Sequence, residues 1–324
     1  RSERLLRDCL RSAGAVQNRS GVFLFRMDFP LPPLYLAGPT GCGKTSVALQ
    51  LVEILPPVEI INADAYQVYR DMECLSAAPT AEERSRCPHH LFGVLDPTEE
   101  CDAATFSRMA KAAIADVATR ALPLVVGGSG LYLKAITHGL APTPKGDPVL
   151  RARLDSREFD DLIAEYTRLD PDGAARTNLQ NRRYVTRNLE ICLLTGQPAS
   201  RLKQEWQDNT PTIRAIYLHR ERADLYERIH QRTARMMENG LREEVSHLGS
   251  LSITAEKAIG LREVRALLAG EMEESTCLDL IRQATRRYAK RQESWFRREI
   301  AFQTLPIAVD EPSIVTAKRI LALI

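Results

Sequence analysis

The segment Gly38-Pro-Thr-Gly-Cys-Gly-Lys-Thr45 limits the folds open to this chain more than any other stretch. It follows the apolar run Leu34–Ala37 and precedes residues 46–54, whose apolar positions recur at helical spacing. Its glycines allow backbone conformations that a Cβ would obstruct, so consecutive N–H groups can point at phosphate oxygens. A helix that begins near Lys44 adds its unpaired N–H groups and the positive end of its dipole. We therefore predict a strand, a loop that holds a polyphosphate, and a helix.

Two side chains at the end of this loop complete its chemistry. Lys44 supplies a mobile cation, and the Thr45 hydroxyl suits a Mg²⁺ ion that also holds the phosphates. We expect Mg²⁺ as the cofactor, with Thr45 as its protein ligand. Cys42 is either a small filler inside the loop or a thiol whose pKa the nearby cationic groups lower. The pattern does not identify which polyphosphate binds.

The remaining elements alternate early in the chain and become helical later. Apolar runs at residues 58–61, 89–95, 122–126 and 213–218 predict further strands, and helices are expected as far as Glu299. Residues 141–148 are rich in proline, and helical periodicity without a convincing strand follows to about Pro211. We predict an α/β fold: a P-loop NTPase-like parallel-sheet core at residues 30–140 and 211–324, with an inserted all-helical domain at residues 141–210.

Asp64 follows the second predicted strand and is the leading candidate for catalysis. Working residues project from the carboxyl ends of strands in open α/β sheets, beside the phosphate loop, so Asp64 could act as a general base or near the metal. It could equally cap the next helical turn. A second glycine turn, Gly127–Gly130, precedes a predicted helix and suits close contact with a ligand.

The composition limits the cellular compartment and the binding partners that we expect. Seven scattered cysteines fit a reduced intracellular compartment, and Cys87-Pro-His-His90 lacks a second ligand pair at zinc-site spacing. No apolar run approaches the roughly 20 residues needed to span a bilayer. We expect a cytoplasmic protein that binds no membrane, unless the arginine-rich residues 1–26 are an organelle transit peptide. We treat residues 1–29 as an N-terminal extension, of which residues 1–26 are dispensable.

Positive charge is clustered although the net charge is only +2. Seven cations against one glutamate lie between Ile281 and Arg298, and Ile281, Tyr288 and Trp295 are expected to form the buried stripe of that helix. The cations are Arg282, Arg286, Arg287, Lys290, Arg291, Arg297 and Arg298. A basic helical face is often merely solvated, but this density favours a polyanion such as a nucleic acid backbone. The predicted insertion adds Arg182, Arg183 and Arg187.

These motifs together resemble those of the tRNA dimethylallyltransferases. The resemblance rests on Gly38-Pro-Thr-x-x-Gly-Lys-Thr45, Asp64-x-x-Gln-Val-Tyr-Arg70, Pro79-Thr80, His89-His90-Leu91, Asp96-Pro97, Leu124-Val-Val-Gly-Gly-Ser-Gly-Leu-Tyr132, Arg187-Asn-Leu-Glu190, Thr195-Gly-Gln-Pro198, Leu225-Tyr-x-Arg-Ile-x-x-Arg232, Ala258-Ile-Gly-x-Arg-Glu263 and Thr285-Arg-Arg-Tyr-Ala-Lys-Arg-Gln292. It covers residues 34 to about 298 in the same order. Three positions depart from the usual pattern, because Ala65, Ala78 and Leu261 stand where Ser, Lys and Tyr are common.

The resemblance implies a reaction and a set of site residues. Members of the family transfer a dimethylallyl group from its diphosphate to the exocyclic amine of the adenine just 3′ of the anticodon. By analogy Asp64 is the catalytic aspartate, Arg232 binds the diphosphate beside Lys44 and Thr45, and the loop residues Gly38, Pro39, Thr40, Gly41, Cys42 and Gly43 hold it. Contacts with the tRNA anticodon arm are implied for Asp64, Ala65, Tyr66, Gln67, Ser129, Arg151, Arg183, Tyr184, Arg187, Lys257, Arg262, Arg286, Arg287, Lys290, Arg291, Gln292 and Arg297. We expect a monomer.

Two other functions remain open at this point. A P-loop kinase of a small metabolite would place ATP in the loop and use Asp64 to deprotonate an alcohol. An adenylate isopentenyltransferase would modify a free nucleotide and would need no surface for an anticodon arm. A non-catalytic RNA-binding module would leave both glycine turns and Asp64 unexplained.

Overall fold

The computed structural model describes residues 15–17, 23–25, 30–55, 57–208 and 211–324. The first part of the chain contains β1 (Ala15–Gln17), β2 (Phe23–Phe25), β3 (Leu34–Ala37), α1 (Lys44–Ile54), β4 (Val58–Asn62), α2 (Glu73–Ser76), α3 (Ala81–Ser85), β5 (His89–His90), α4 (Ala103–Val117), β6 (Leu122–Gly127) and α5 (Gly130–Thr137). β1 and β2 pair with each other in an antiparallel ribbon. The rest of the predicted N-terminal extension lies outside the described residues.

A helical segment follows. It contains α6 (Pro148–Asp155), α7 (Phe159–Leu169), α8 (Pro171–Arg176), α9 (Arg182–Thr195) and α10 (Ala199–Asp208). These helices pack around Leu154, Leu162, Tyr166, Val185 and Leu189, and residues 134–211 form a compact unit of their own. The prediction placed a helical insertion at residues 141–210.

The chain then returns to the first unit, which comprises residues up to 133 and residues 212–324. This part contains β7 (Arg214–Arg220), α11 (Arg222–Glu238), α12 (Leu241–His247), a 3₁₀ turn (Ala255–Lys257), α13 (Leu261–Leu268), α14 (Glu274–Phe296), β8 (Gln303–Ile307) and α15 (Ser313–Leu321). None of the helices in the described ranges combines the length and apolar character needed to cross a bilayer.

Six strands of the first unit form one parallel sheet in the order β5-β4-β6-β3-β7-β8. β3 is central, with Leu36 opposite Val126 on one side and Ile216 on the other. β3, β4 and β6 are buried along their whole length, as expected for parallel strands covered on both faces. Their carboxyl ends meet at one edge of the sheet, where the phosphate loop, Asp64 and the second glycine turn follow.

Several details differ from the sequence predictions. β5 contains only His89 and His90 because Leu91 and Gly93 adopt left-handed backbone conformations (φ 64° and 60°) that end the strand. β8 and α15, which lie beyond the predicted helices, were not expected; β8 completes the sheet next to β7.

The buried stripe of α14 was also predicted with the wrong members. Ile281 is buried, but Tyr288 and Trp295 are only partly so. The buried positions are Cys277, Ile281, Thr285, Ala289, Gln292, Glu293 and Phe296. The straight helix turns every 3.6 residues, so a strict seven-residue spacing drifts off the buried face, and polar side chains with partners take its place. Thr285 Oγ1, for example, donates to Ile281 O at 2.7 Å.

Candidate active site

The phosphate loop joins β3 to α1 with two residues in left-handed conformations. Gly41 and Gly43 have φ values of 87° and 95°, which glycine adopts without strain. Because α1 begins at Lys44, the N–H groups of its first turn have no acceptor inside the helix. Lys44 Nζ donates to Gly38 O and Pro39 O, both at 3.0 Å. The loop therefore has the shape and the polarity of an anion cradle.

Cys42 is completely buried inside this loop. A Cβ at Gly38 would lie 2.6 Å from Cys42 Sγ, so the sulfur fills the space under the loop. This position favours the filler interpretation of Cys42 over a reactive thiol.

Two arginines from the segment after the insertion hold the loop from outside. Arg220 Nε donates to Cys42 O at 2.8 Å, and Arg228 Nε donates to Gly41 O at 2.9 Å. Arg220 is buried and is fixed in turn by Asp224, whose Oδ2 lies 2.6 Å from its Nη1. Buried, charge-assisted hydrogen bonds of this kind fix backbone geometry, so the loop is preorganised by β7 and α11.

Three arginines of α11 share one helix face and line a cavity of about 440 Å³ next to the loop. Arg228, Arg232 and Arg235 recur at spacings of four and three residues, which places them on neighbouring turns. Lys44, Thr45 and Asp64 line the same cavity. The cavity therefore brings four cations together with the carboxylates of Asp64 and Glu83, and this excess of positive charge suits a ligand with a polyphosphate at one end.

Arg232, which we predicted as a diphosphate ligand, has a buried Nε–H group that makes no hydrogen bond within the described residues. Burial lowers the pKa of Arg232, and the negative charge of Asp64 partly opposes this. A buried donor without a partner is costly unless a ligand supplies the acceptor.

Asp64 is held by a local network at the carboxyl end of β4. The buried Asn62 accepts from Asp64 N through Oδ1 at 2.7 Å and donates through Nδ2 to Leu91 O at 2.9 Å. Asp64 Oδ1 accepts from Tyr66 N at 3.1 Å. The carboxylate therefore does organise the turn after it, and its orientation is fixed by that bond. Asp64 also faces the cavity, so the capping role and the catalytic role are compatible.

The second glycine turn supports the Asp64 segment from β6. Ser129 Oγ accepts from Ala65 N at 3.1 Å, and the Tyr288 hydroxyl shares a hydrogen bond with Ser129. Burial, with a further contribution from the charge of Asp64, raises the pKa of Tyr66 to about 12 and also raises the pKa of Tyr288. Both phenols remain protonated at neutral pH and can only serve as donors or neutral acceptors there.

Part of the cavity lining is formed by uncharged residues. Gln67 Nε2 donates to Ser76 O and Ala77 O, at 3.2 and 3.0 Å, and so positions the turn that leads to Ala78 and Pro79. These residues line the cavity together with Phe92 and Val126. These side chains can accept an apolar part of a ligand.

Most residues predicted to contact tRNA in the first unit are accessible. Arg287, Lys290, Arg291, Arg297 and Lys257 are exposed, and the side chain of Arg262 is 91% exposed. Arg286 is partly buried, with its guanidinium 5.7 Å from the centre of the Tyr226 ring. Asp64, Ala65, Tyr66 and Gln67 are partly buried, and Asp64 and Gln67 line the cavity.

Gln292 does not fit its predicted role as a tRNA contact. It is 4% exposed, and both ends of its amide are used inside the protein. Its carbonyl oxygen accepts from Thr40 N at 2.9 Å, so that loop N–H, which we expected to reach the diphosphate, is already bonded.

In the helical unit, Arg183 and Tyr184 are exposed, but two predicted contacts are engaged elsewhere. Arg151 and Arg187 both form ion pairs with Glu190, which is fully buried. Arg182 donates to the carbonyls of residues 154, 155 and 157, where it closes the end of α6. The charge that these arginines offer to a polyanion is therefore partly neutralised.

Sequence reasoning missed Arg228, Arg235, the support of the loop by Arg220 and the bridging role of Gln292. The spacing of Arg228, Arg232 and Arg235 on one helix face was visible in the sequence and could have revealed the first two. No local pattern could reveal that Gln292 reaches the phosphate loop, because 252 residues separate it from Thr40.

Known proteins similar to this chain identify its family. The IPP transferase family model matches residues 67–299. A tRNA dimethylallyltransferase of Akkermansia muciniphila is 42% identical over 289 residues, which are 89% of this chain and 98% of that protein. The tRNA isopentenylpyrophosphate transferase of Bacillus halodurans has a solved structure that matches with a TM-score of 0.65 at 32% identity, over 90% of this chain and 96% of that chain. A eukaryotic dimethylallyltransferase solved in the act of modifying tRNA matches with a TM-score of 0.70 at 26% identity, over 85% of this chain and 73% of that chain. The P-loop NTPase-like fold expected from the sequence is thereby confirmed, and the chain belongs to the IPP transferase family, the tRNA dimethylallyltransferases.

Proposed function

We propose that this protein transfers a dimethylallyl group from dimethylallyl diphosphate to the N6 amine of the adenine 3′-adjacent to the anticodon in tRNA, and releases diphosphate. The observation that carries the proposal is the cavity in which Asp64 faces Arg232 beside the phosphate loop. It combines a cradle for a leaving diphosphate with a base for the acceptor. The family to which the chain belongs supports the choice of tRNA and of the prenyl donor.

The cationic end of the cavity suits the leaving group. Breaking the allylic carbon–oxygen bond leaves its electron pair, and growing negative charge, on the diphosphate. Lys44, Arg228 and Arg232 lie around the loop and would stabilise that charge, together with the N–H groups at the start of α1. Lys44 is held by the carbonyls of Gly38 and Pro39, and Arg228 is held by the carbonyl of Gly41, so these two cations are positioned before charge develops.

Asp64 would take the proton that the acceptor loses. As the carbon–oxygen bond breaks, the lone pair of the adenine amine forms the new carbon–nitrogen bond, and the amine becomes acidic. Asp64 Oδ1 is occupied by Tyr66 N, which orients the carboxylate to accept a hydrogen bond and then the proton. The products are the N6-prenylated adenine, diphosphate and a proton passed to Asp64.

The part of the site that would hold the diphosphate also suits a magnesium ion. The Thr45 hydroxyl is a hard oxygen ligand that lines the cavity next to Lys44, and diphosphate oxygens would complete the coordination. Bound Mg²⁺ would neutralise charge on the departing diphosphate. The protein contributes Thr45 to this ion and Lys44 to the phosphate itself.

The exposed cations of α14 suit the RNA backbone. Arg287, Lys290 and Arg291 form a basic surface on the helix whose opposite face packs beneath the active-site loops. An adenine in a stacked anticodon arm must leave its stack to reach Asp64, so we expect base extrusion. One chain supplies every group invoked here, and we propose that a monomer is the active form.

The proposal is tested by incubating the protein with a synthetic anticodon-arm hairpin, dimethylallyl diphosphate and Mg²⁺, followed by nuclease digestion and mass spectrometry. We expect one C₅H₈ unit on the adenine next to the anticodon, and none on a hairpin with guanine at that position. Prenylation of AMP without RNA would indicate a free-nucleotide transferase instead. ATP turnover without RNA or prenyl donor, with unmodified hairpin, would indicate a kinase.

A further inference from the structure

We infer that Gln292 is a positioning residue for the transfer reaction, which locks the donor loop and the acceptor side of the site in one relative arrangement. The inference rests on the proposed function for its kinetic test, but its structural basis is independent of the substrate. Gln292 lies in α14, is 4% exposed, and contacts both glycine loops.

The Gln292 amide uses both of its ends, and each end reaches a different loop. Oε1 accepts from Thr40 N at 2.9 Å, in the phosphate loop. Nε2 donates to Gly128 O at 2.8 Å, in the second glycine turn. Amide donors and acceptors in a buried site favour one geometry, because leaving either unpaired is costly.

The two loops approach each other closely at this point. A Cβ at Gly128 would lie 2.3 Å from Gln292 Nε2 and 2.8 Å from Gly38 O. Only glycine leaves room for the amide between the two backbones. The three segments therefore meet without a gap, and Gln292 is the side chain that joins them.

The connection continues to the catalytic carboxylate. Gly128 precedes Ser129, whose hydroxyl accepts from Ala65 N next to Asp64. A short chain of hydrogen bonds thus runs from the donor loop through Gln292 and the second glycine turn to the Asp64 segment. The shape of the phosphate loop itself has other supports, namely the bonds from Arg220 and Arg228 to its carbonyls.

Arg220 and Arg228 support the phosphate loop itself, whereas Gln292 connects it to the second glycine turn. Loss of Gln292 should therefore affect the reaction rate and not the binding of the donor. Without the Gln292 bridge the loop should still hold diphosphate, but the prenyl carbon and the base would no longer be aligned. Gln292→Met keeps the volume of the side chain and removes both hydrogen bonds. We expect its single-turnover transfer rate at saturating donor and RNA to fall about 100-fold, since small misplacements have effects of this size. Its Kd for dimethylallyl diphosphate with Mg²⁺ and its Kd for the hairpin should stay close to wild type.

The control is Gln283→Met, the same change at an exposed glutamine of the same helix, which should leave rate and affinity unchanged. Gln292→Glu retains an acceptor for Thr40 N but, when ionised, cannot donate to Gly128 O, so an intermediate loss is expected. A wild-type rate in Gln292→Met would overturn the inference. So would a lower rate explained wholly by weaker donor binding or by a lower fraction of folded protein.

Hydrogen exchange of the loop provides a readout that needs no turnover. The Thr40 amide should be protected in the wild-type protein without substrate and should lose that protection in Gln292→Met, while Gln283→Met retains it. If the hairpin is never prenylated by the wild type, the proposed function fails, and the exchange comparison still decides the role of Gln292. Equal exchange of Thr40 in all three proteins would refute it, even if Gln292→Met folds poorly.

Discussion

At the scale of single residues, Asp64 shows how one side chain can serve both structure and chemistry. One carboxylate oxygen closes the turn to Tyr66 N, and the side chain faces a cavity that contains Arg232. Asn62 fixes the backbone on the other side of the turn. The base is therefore immobilised before a substrate arrives, which is what general base catalysis needs from a scaffold.

We predict that Asp64→Asn lowers the single-turnover transfer rate by about 10²–10⁴-fold, because the amide cannot take the proton. The Asn side chain can still accept from Tyr66 N, so the turn should persist, and affinities for dimethylallyl diphosphate and for the hairpin should change little. Rapid-quench kinetics and filter binding measure the two effects. Asp71→Asn, at an exposed position in the same segment, is the control. A rate within a few-fold of wild type would remove the role assigned to Asp64.

In the helical unit, Glu190 is another carboxylate whose position is fixed by hydrogen bonds. Burial alone would raise the pKa of Glu190, but hydrogen bonds from Arg151, Arg187 and Asp147 N outweigh it and hold the pKa below its ordinary value. The ionised form is thus favoured in the folded protein. Its contribution to stability is present above the unfolded pKa, near 4.5, and is lost as the pH falls through the lower folded value.

We predict that Glu190→Gln lowers the free energy of unfolding by about 3 kcal/mol at pH 7, because two arginines lose their buried partner. Urea unfolding at pH 7 and at pH 4 measures the difference. The gap between wild type and variant should narrow at pH 4, where part of the wild-type contribution is already lost. The exposed Glu158→Gln should match wild type at both pH values. An equal gap at the two pH values would contradict the assignment.

At the scale of secondary structure, the sequence predicted elements well where the signal is local. The strand, loop and helix around residues 38–45 follow from glycine conformations and an apolar run, and the structure has them where they were expected. The face of α14 was predicted less well, because Gln292 and Glu293 look like surface residues in the sequence. Their burial depends on loops far away along the chain, and no local periodicity contains that information.

The exposed face of α14 carries a prediction of its own. Replacing both Arg287 and Arg291 by Gln should weaken hairpin binding and reduce the slope of log K against log salt by about two, one for each lost phosphate contact. Equilibrium binding over a range of salt concentrations measures the slope. Arg282→Gln removes one charge from the same helix at a side chain that is 15% exposed and paired with Asp279, and it should leave the slope unchanged. An unaltered slope in the double variant would mean that this face is simply solvated.

At the scale of the whole molecule, the site is assembled from both sides of the helical segment. The phosphate loop, Asp64 and Ser129 precede residues 134–211, whereas Arg220, Arg232 and Gln292 follow them. Predicting each motif separately was therefore possible from the sequence. Predicting their mutual contacts was not, because those contacts depend on the pairing of β7 with β3 and on hydrogen bonds from α11 and α14 to the loop, which join residues far apart in the sequence.

Of the N-terminal extension, the structure describes β1 and β2, and neither strand belongs to the six-stranded sheet. They pair with each other, and the cavity-lining residues that the structure describes all come after residue 39. We predict that a chain that starts at Met27 melts at the same temperature as the full chain and transfers dimethylallyl groups at the same rate. It retains Leu31, whose N–H donates to Ala118 O and ties the start of the core to the end of α4.

Thermal unfolding and single-turnover kinetics of the two chains measure this, with a chain that starts at Leu34 as the control. The chain that starts at Leu34 loses the Leu31 hydrogen bond and the packing of that side chain against the core, so its melting temperature should fall. The melting temperature of the Met27 chain should equal that of the full chain. A loss of stability or of transfer already at Met27 would assign a structural role to residues 1–26. In that event the functional core would begin before the first strand of the six-stranded sheet, and the extension would have to be counted among the elements that stabilise it.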